Sequence, residues 1–286
     1  MATITTTTAA NFIPEVWALD VIVAAESALV LAPLVYRADS QVKQKGDIIH
    51  FPQISELTVS TKTQGNEVTP SAVTESEVTV TVNTWKYVAF EVEKITQVQS
   101  QYDLRSLYTK KVGYQAAKDI DTTLAGLYSS LTSTDVGNYG VDIGDSSIIS
   151  CQQRLNEVDA PQDERYFVIK PSQQAAIQKL DKFTYASAIG QFSQASPVQR
   201  GPNNRYLWGD IYGDPVYVTN QVTTTAGTPT QTHNLYFHKE AFVLALQQTP
   251  TVRHSFWHKD LSDLVTIDWI YGTNTLRSTF GVELRS

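Results

Sequence analysis

The stretch SQYDLRSLYTKKVGYQAAKDIDTTLAGLYSSL, Ser100 to Leu131, places apolar residues three or four apart: Leu104, Tyr108, Val112, Ala116, Ile120, Leu124, then Leu127 or Tyr128. That period marks an amphipathic helix. No proline interrupts it between Tyr102 and Leu131, and Ser100 with Asp103 makes a variant capping box. At 1.5 Å per residue the helix would run about 45 Å, against an ordinary mean of about 12 residues. One small core cannot bury a single stripe of that length. The spacing therefore predicts a spine, with other parts of this chain or of neighbouring chains laid along it. Asp119 and Asp121 stand two apart on it and cannot face each other.

Upstream, LTVSTKTQGNEVTPSAVTESEVTVTV (Leu57 to Val82) alternates at its ends and has almost nothing in its middle that could form a core. A two-stranded ribbon of this kind is at best marginally stable alone. GDIIHFPQIS (Gly46 to Ser55) before it reads as a strand. TWKYVAFEVEK (Thr84 to Lys94) after it reads as another, with Trp85, Tyr87 and Ala89 on one face and Val88, Phe90 and Val92 on the other. Residues 46–94 are thus expected to form one long hairpin, packed at its root and bare at its tip. Further upstream, Pro14 suits the first position of a helix. Trp17, Val21, Ala24 and Ala28 follow at helical spacing as far as Pro33.

Downstream, TSTDVGNYGVDIGDSS (Thr132 to Ser147) marks a loop and a boundary. A helix near Ile148–Val158 follows, then a strand at Arg165–Lys170 and a proline-led helix at Pro171–Phe183. Ile211–Val222 reads as turn and strand, Thr223–Asn234 as an exposed loop, Leu235–Gln248 as buried structure, and Leu264–Ser286 as long β runs. The class is α+β.

The composition bounds the function. The chain has 286 residues, 42% hydrophobic, with 5 Trp, 14 Tyr and 10 Phe, enough for one large domain or two modest ones. A net charge of −7 argues against tight, sequence-blind nucleic-acid binding. Cys151 is the only cysteine, so no intramolecular disulfide forms and no Cys-rich zinc spacing exists. No Asn-x-Ser/Thr site occurs, and both points fit a reducing cytoplasm. The N-terminus lacks the basic region of a secretory signal. Asp20, Glu26 and Pro33 interrupt the most apolar run, Val16 to Tyr36, which falls short of the ~20 apolar residues of a membrane span. A soluble protein with no membrane partner is expected.

The search for chemistry is empty. Neither phosphate-loop nor dinucleotide motif nor nucleophile elbow is present. Ser40 to Lys43 fits S-x-x-K without that class's other motifs, and reads as loop. His254 and His258 in RHSFWHKD stand at i, i+4 and would share a helix face, with Asp260 or Asp263 as a third metal ligand. No HExxH glutamate lies between them, however. Asp135, Asp142 and Asp145 do not match a calcium loop, and Cys151 reads as a small buried side chain. No catalytic residue, cofactor or metal is assigned. Abundant structure, no active-site constellation and an arm without its own core together point to an assembly protein.

The order of parts resembles the tailed-bacteriophage major capsid protein family, the Hong Kong phage-type fold shared with encapsulin shells. Stretches similar to its members are NFIPEVWALDV (Asn11 to Val21), DERYFVIKPSQQAAIQKL (Asp163 to Leu180), WGDIYGDPVYVTNQV (Trp208 to Val222), HKEAFVLALQQ (His238 to Gln248) and DWIYGTNTLRSTFGVEL (Asp268 to Leu284). The resemblance implies an N-terminal arm (1–45), an extended β-hairpin loop (46–94) lying over a neighbouring subunit, and a peripheral domain with the spine (95–131). A mixed α/β axial domain (132–251) and a return to the peripheral domain (252–286) would complete it. It implies hexamers and pentamers closing an icosahedral virion capsid around double-stranded DNA, assembled in the bacterial cytoplasm. The partners implied are a portal protein and a decoration or cement protein. Met1 stands almost directly before the arm, so a separate scaffolding protein is expected as well. Inter-subunit contacts fall on the loop tip: Thr61, Lys62, Thr63, Gln64, Gly65, Asn66 and Glu67. Some members weld their shells by lysine–asparagine crosslinks, and Lys62, Asn274 and Glu283 have the residue types required. The rivals are an encapsulin-type compartment, a metal enzyme using His254 and His258, and a β-rich tail protein.

Overall fold

The computed structural model describes residues 30–42, 46–54, 59–65, 67, 75–94, 104–133, 135–180 and 207–286. The strands are β1 (Tyr36–Arg37), β2 (Ile48–Ile54), β3 (Glu75–Thr81), β4 (Thr84–Glu93), β5 (Val136–Gly137), β6 (Arg165–Ile169), β7 (Leu207–Ile211), β8 (Asp214–Val218), β9 (Thr224–Thr225), β10 (Gln231–His238), β11 (Phe242–Trp257), β12 (Ser262–Thr275) and β13 (Gly281–Arg285). The helices are α1 (Asp39–Val42), α2 (Leu104–Ala125), α3 (Asp145–Glu157) and α4 (Pro171–Gln178).

The spine is α2, about 33 Å long at 1.5 Å per residue. Val112, Ala116, Ile120 and Leu124 are buried, as their spacing predicts. The chain does not stay α-helical to Leu131. It tightens into a 3-10 turn over Gly126–Ser130 and turns extended at Leu131. Gly126 favours that change, and the hydroxyls of Ser129 and Ser130 donate back to the carbonyls of Gly126 and Leu127 at 3.4 and 2.6 Å.

A four-stranded sheet ordered β1-β11-β12-β4 covers the spine. β4 runs antiparallel to β12 from Thr84↔Tyr271 to Glu93↔Ser262. Its alternation is as read: Val88, Phe90 and Val92 turn inward, while Trp85 and Tyr87 are 70% and 71% exposed. The expected hairpin over 46–94 is corrected here. β2 pairs with β3, from Ile48↔Thr81 to Ile54↔Glu75, and not with β4. Val82 and Asn83 break the strand. Beyond them the apolar face of β4 finds the spine's stripe, whereas a lone ribbon would bury little of it.

The ribbon β2–β3 is held at its root by a small second core. Ile49, Val80 and Val82 pack there with Ala38, Val42, Val243 and Ala245, flanked by Tyr36 and Phe51 edge to face at 6.0 Å. The ribbon crosses β12 at Gly272. A Cβ on Gly272 would stand 2.5 Å from the Thr81 carbonyl oxygen and 3.0 Å from Val82 Cα, so only glycine permits the crossing.

The second sheet has the order β5-β13-β10-β6-β8-β7, with β9 beside β10. β6 and β8 are parallel, and β7–β8 turn through Tyr212 and Gly213, both at positive φ. α3 buries Ile148, Cys151 and Leu155, and α4 begins at Pro171 as expected. Cys151 is fully buried and its thiol is pushed up to about 12 by that burial. Two expectations change. Gln231–Asn234, read as exposed loop, opens the strand β10, with His233 and Asn234 buried. The last segment does not return as a block: β11 and β12 serve the spine's sheet, but β13 pairs with β10 and β5 in the other. The change of sheet thus falls between β10 and β11. One continuous core joins both sheets and the spine.

Asp119 and Asp121 face opposite sides, as their spacing requires. Asp119 accepts from Lys86 Nζ at 2.5 Å and from the Tyr271 hydroxyl at 2.9 Å, pinning the spine to β4 and β12. Asp121 is buried and accepts the backbone N–H of Val30 at 2.9 Å and of Leu31 at 3.2 Å, pinning the incoming arm. The helix led by Pro14, the box at Ser100 and Asp103, and Lys43 lie outside the described residues.

Gly272→Ala should cost about 1–3 kcal/mol in urea unfolding. Gly126→Ala, where a Cβ meets nothing within 4 Å, should be neutral or slightly stabilising. Burial raises the Asp121 carboxyl to about 6, against 3.8 for a free one, while the backbone donors of residues 30–32 pull it down. The folded chain therefore holds this proton more tightly than the unfolded chain. The group's contribution is complete below the unfolded value and is lost as pH rises through about 6. The unfolding free energy of wild type minus that of Asp121→Asn should accordingly grow as pH falls from about 7 to about 5.

Candidate assembly interface

Beyond its root the described residues of the ribbon turn one face to solvent. Its outward face pairs Ile48 with Thr81, His50 with Thr79, Pro52 with Glu77 and Ile54 with Glu75. Ile54 is 82% exposed, and His50 Nδ1 meets a Glu77 oxygen at 3.0 Å. At the tip, Thr61, Lys62, Thr63, Gln64, Gly65 and Glu67 are all exposed, and Gly65 turns the chain at φ +92°. Asn66 lies outside the described residues.

The root, by contrast, is fastened. Asn274 Nδ2 donates to the Thr79 carbonyl at 2.7 Å, Gln53 Nε2 to the Leu276 carbonyl at 3.1 Å, and the Val82 N–H to the Asp47 carbonyl at 2.7 Å. Between the ribbon and Thr275–Thr279 lies a groove of about 760 Å³ whose walls include Ile54, Val78, Leu276 and Arg277. These contacts fix the direction of the arm and leave its outward face free.

The outer face of the spine's sheet is a second exposed surface. Asp268 is buried at its centre and accepts from Trp85 Nε1 at 3.2 Å, Gln248 Nε2 at 3.0 Å and Arg253 Nε at 3.2 Å. Trp85 is thereby held by its polar edge with most of its ring in solvent, the state of an aromatic placed for contact. The pairing of β4 with β12 was not legible in the sequence, so this cluster went unseen.

His254 and His258 are not on a helix. RHSFWHKD ends β11 and enters the turn to β12, because the segment pairs antiparallel from Arg253↔Thr266 to Trp257↔Ser262. His254 Nε2 lies 3.5 Å from Asp263 Oδ1, and His258 packs edge-on against Phe256 at 5.0 Å. Asp260 sits in the turn. Among the described residues no three His, Cys, Asp or Glu converge to hold a metal.

Asn274 and Glu283 occupy different sheets, β12 and β13. Each has a role within the subunit, Asn274 as the clamp on β3. The Glu283 carboxylate is buried, with His233 Nδ1 at 2.6 Å, the Tyr139 hydroxyl at 2.9 Å and Arg285 Nε at 3.3 Å. Burial alone would raise its pKa. The donors His233, Arg285 and Tyr139 outweigh that and hold it below the usual carboxylate value. His233 also stacks on Tyr128 at 4.0 Å, so the cluster ties the last turn of the spine to the second sheet.

A rooted ribbon, a long spine under one sheet and a mixed second sheet together define the Hong Kong phage-type major capsid fold. Solved structures bear this out over nearly the whole chain. One from Mycobacterium phage Che8 superposes with a TM-score of 0.75 at 23% identity, covering 90% of each chain. The capsid of cyanophage P-SCSP1u gives 0.68 at 15% identity, covering 90% of this chain and 88% of that one. The virus-like particle from Pyrococcus furiosus gives 0.61 at 11%, covering 94% and 98%. No protein-family model and no curated protein matches the sequence.

Asn274→Ala should cost about 1 kcal/mol. Amide exchange should quicken across 75–81 while β10 and β13 keep their protection, as hydrogen-exchange mass spectrometry would show.

Proposed function

We propose that this chain is the major capsid protein of a tailed phage, a structural protein without catalytic activity. Copies close into hexamers and pentamers of an icosahedral shell around double-stranded DNA, and the extended loop clasps the next subunit through Thr61–Glu67 and the outward face of β2–β3. The carrying observation is a ribbon fastened at its root yet exposed on its outward face and at Thr61–Gly65 and Glu67, on a fold shared over about 90% of the chain with phage capsids. Its Thr-, Ser- and Glu-rich surface suits a wet contact between subunits rather than a dry core. Assembly in the host cytoplasm with a separate scaffolding protein, a portal and a decoration protein belongs to the same proposal. An encapsulin-type compartment is the second possibility, supported by the match to the Pyrococcus furiosus particle, whose TM-score is lower.

Electron microscopy of the purified protein, with its scaffold where required, should show closed shells. Only monomers under every assembly condition would overturn the proposal. Deletion of Thr61–Ser76 should leave the subunit folded, with near-native circular dichroism, and abolish shells. Shells of normal stability from that variant would remove the clasp role.

A further inference from the structure

The solvent face of the spine carries a cluster of lysines. Lys110, Lys111, Tyr114 and Lys118 fall at i, i+1, i+4 and i+8 on one side of α2, and all four are exposed. They span about 12 Å along the helix axis. No ion pair or side-chain hydrogen bond engages the three ammonium groups among the described residues. The two carboxylates of the helix interior are withdrawn from this face: Asp119 is bound to Lys86 and Tyr271, and Asp121 is buried against the backbone of Val30 and Leu31. Among the described residues, a chain of net charge −7 thus exposes on this helix a positive stripe with no carboxylate partner and an aromatic ring, Tyr114, set within it.

We infer that this stripe, Lys110, Lys111 and Lys118, binds the phosphate backbone of duplex DNA without regard to sequence. The inference rests on the shell function proposed above, which supplies a packaged duplex as ligand. Flexible lysine ammoniums are point charges suited to phosphate contact, and phosphate contacts position a duplex without reading bases. An acidic partner within the assembly fits less well. Among its described residues the ribbon's outward face spends Glu77 on His50 and offers besides only Glu75 and, at the tip, Glu67, two carboxylates far apart rather than an acidic stripe. The net negative charge keeps the binding weak without abolishing it, because at physiological salt fields from distant carboxylates are screened beyond about 8 Å. With three contacts the interaction is weak and salt-sensitive, which suits a genome that must pack densely and leave.

The test uses unassembled protein and a fluorescent DNA duplex of arbitrary sequence, followed by anisotropy from about 50 to about 200 mM salt. Wild type should bind, with log K falling linearly in log salt. The variant K110Q/K111Q/K118Q should bind at least about tenfold more weakly at the lowest salt, and its slope should flatten by about 2–3. Absence of binding by wild type at about 50 mM salt would overturn the inference, as would an unchanged affinity in the triple variant. Equal competition by polyglutamate would assign the stripe to an acidic polypeptide instead, and so would overturn it too. Circular dichroism of the variant verifies its fold, and electron microscopy follows shell formation separately. Shells from a variant that no longer binds DNA would leave the assembly function standing.

Discussion

Two carboxylates on one helix, two residues apart and facing opposite ways, hold the parts of this molecule together. Asp119 reaches the sheet through Lys86 and Tyr271, and Asp121 reaches the arm through the N–H groups of Val30 and Leu31. A helix that served one core would need one apolar stripe and nothing else. This helix lies between a sheet on one side and an incoming chain on the other, so it needs directional contacts as well as burial. Charge-assisted hydrogen bonds supply the direction. The Lys86 ammonium, raised by its Asp119 and Tyr271 partners against a desolvation cost, sits where the apolar face of β4 would otherwise be free to slide.

The arm follows the same division of labour. Ile49, Val80 and Val82 bury apolar surface at the root, and Asn274 and Gln53 set its angle. Gly272 removes the one side chain that would obstruct the crossing. None of the root residues belongs to the main core. The main core is therefore complete without the β2–β3 ribbon, and loosening the ribbon exposes only the small second core.

Most elements were legible because periodicity is local. The stripe from Val112 to Leu124, the alternation of β4 and the proline-led start of α4 all follow from neighbouring residues. What the sequence could not show is which strand meets which. Val82 and Asn83 gave little sign that β3 ends there, so ESEVTVT and TWKYVAFEVEK were merged into one hairpin limb when they belong to different sheets. His233 was missed for a related reason. TQTHN has the composition of an exposed loop, and only its pairing with Glu283 and Tyr128, 50 and 105 positions away in the chain, makes it interior. The tip of the arm was read from an absence of apolar residues, and its exposure follows directly from that.

The same contrast accounts for the outer surfaces. A side chain that serves the subunit is held by its polar atoms: Asp268 by three donors, Glu283 by its own set, Asn274 by a carbonyl. The exposed aromatic face of Trp85 and the apolar edge of Ile54 are not closed off in this way. Within the monomer the Trp85 nitrogen helps satisfy the buried Asp268 carboxylate while most of its ring stays in water. Holding the indole in a single orientation costs side-chain entropy, and only a surface that completes its burial offsets that cost. Among the described residues β4 is the last strand of its sheet and the Trp85 ring is 70% exposed, so its indole, fixed by Asp268, is left for a surface beyond those residues.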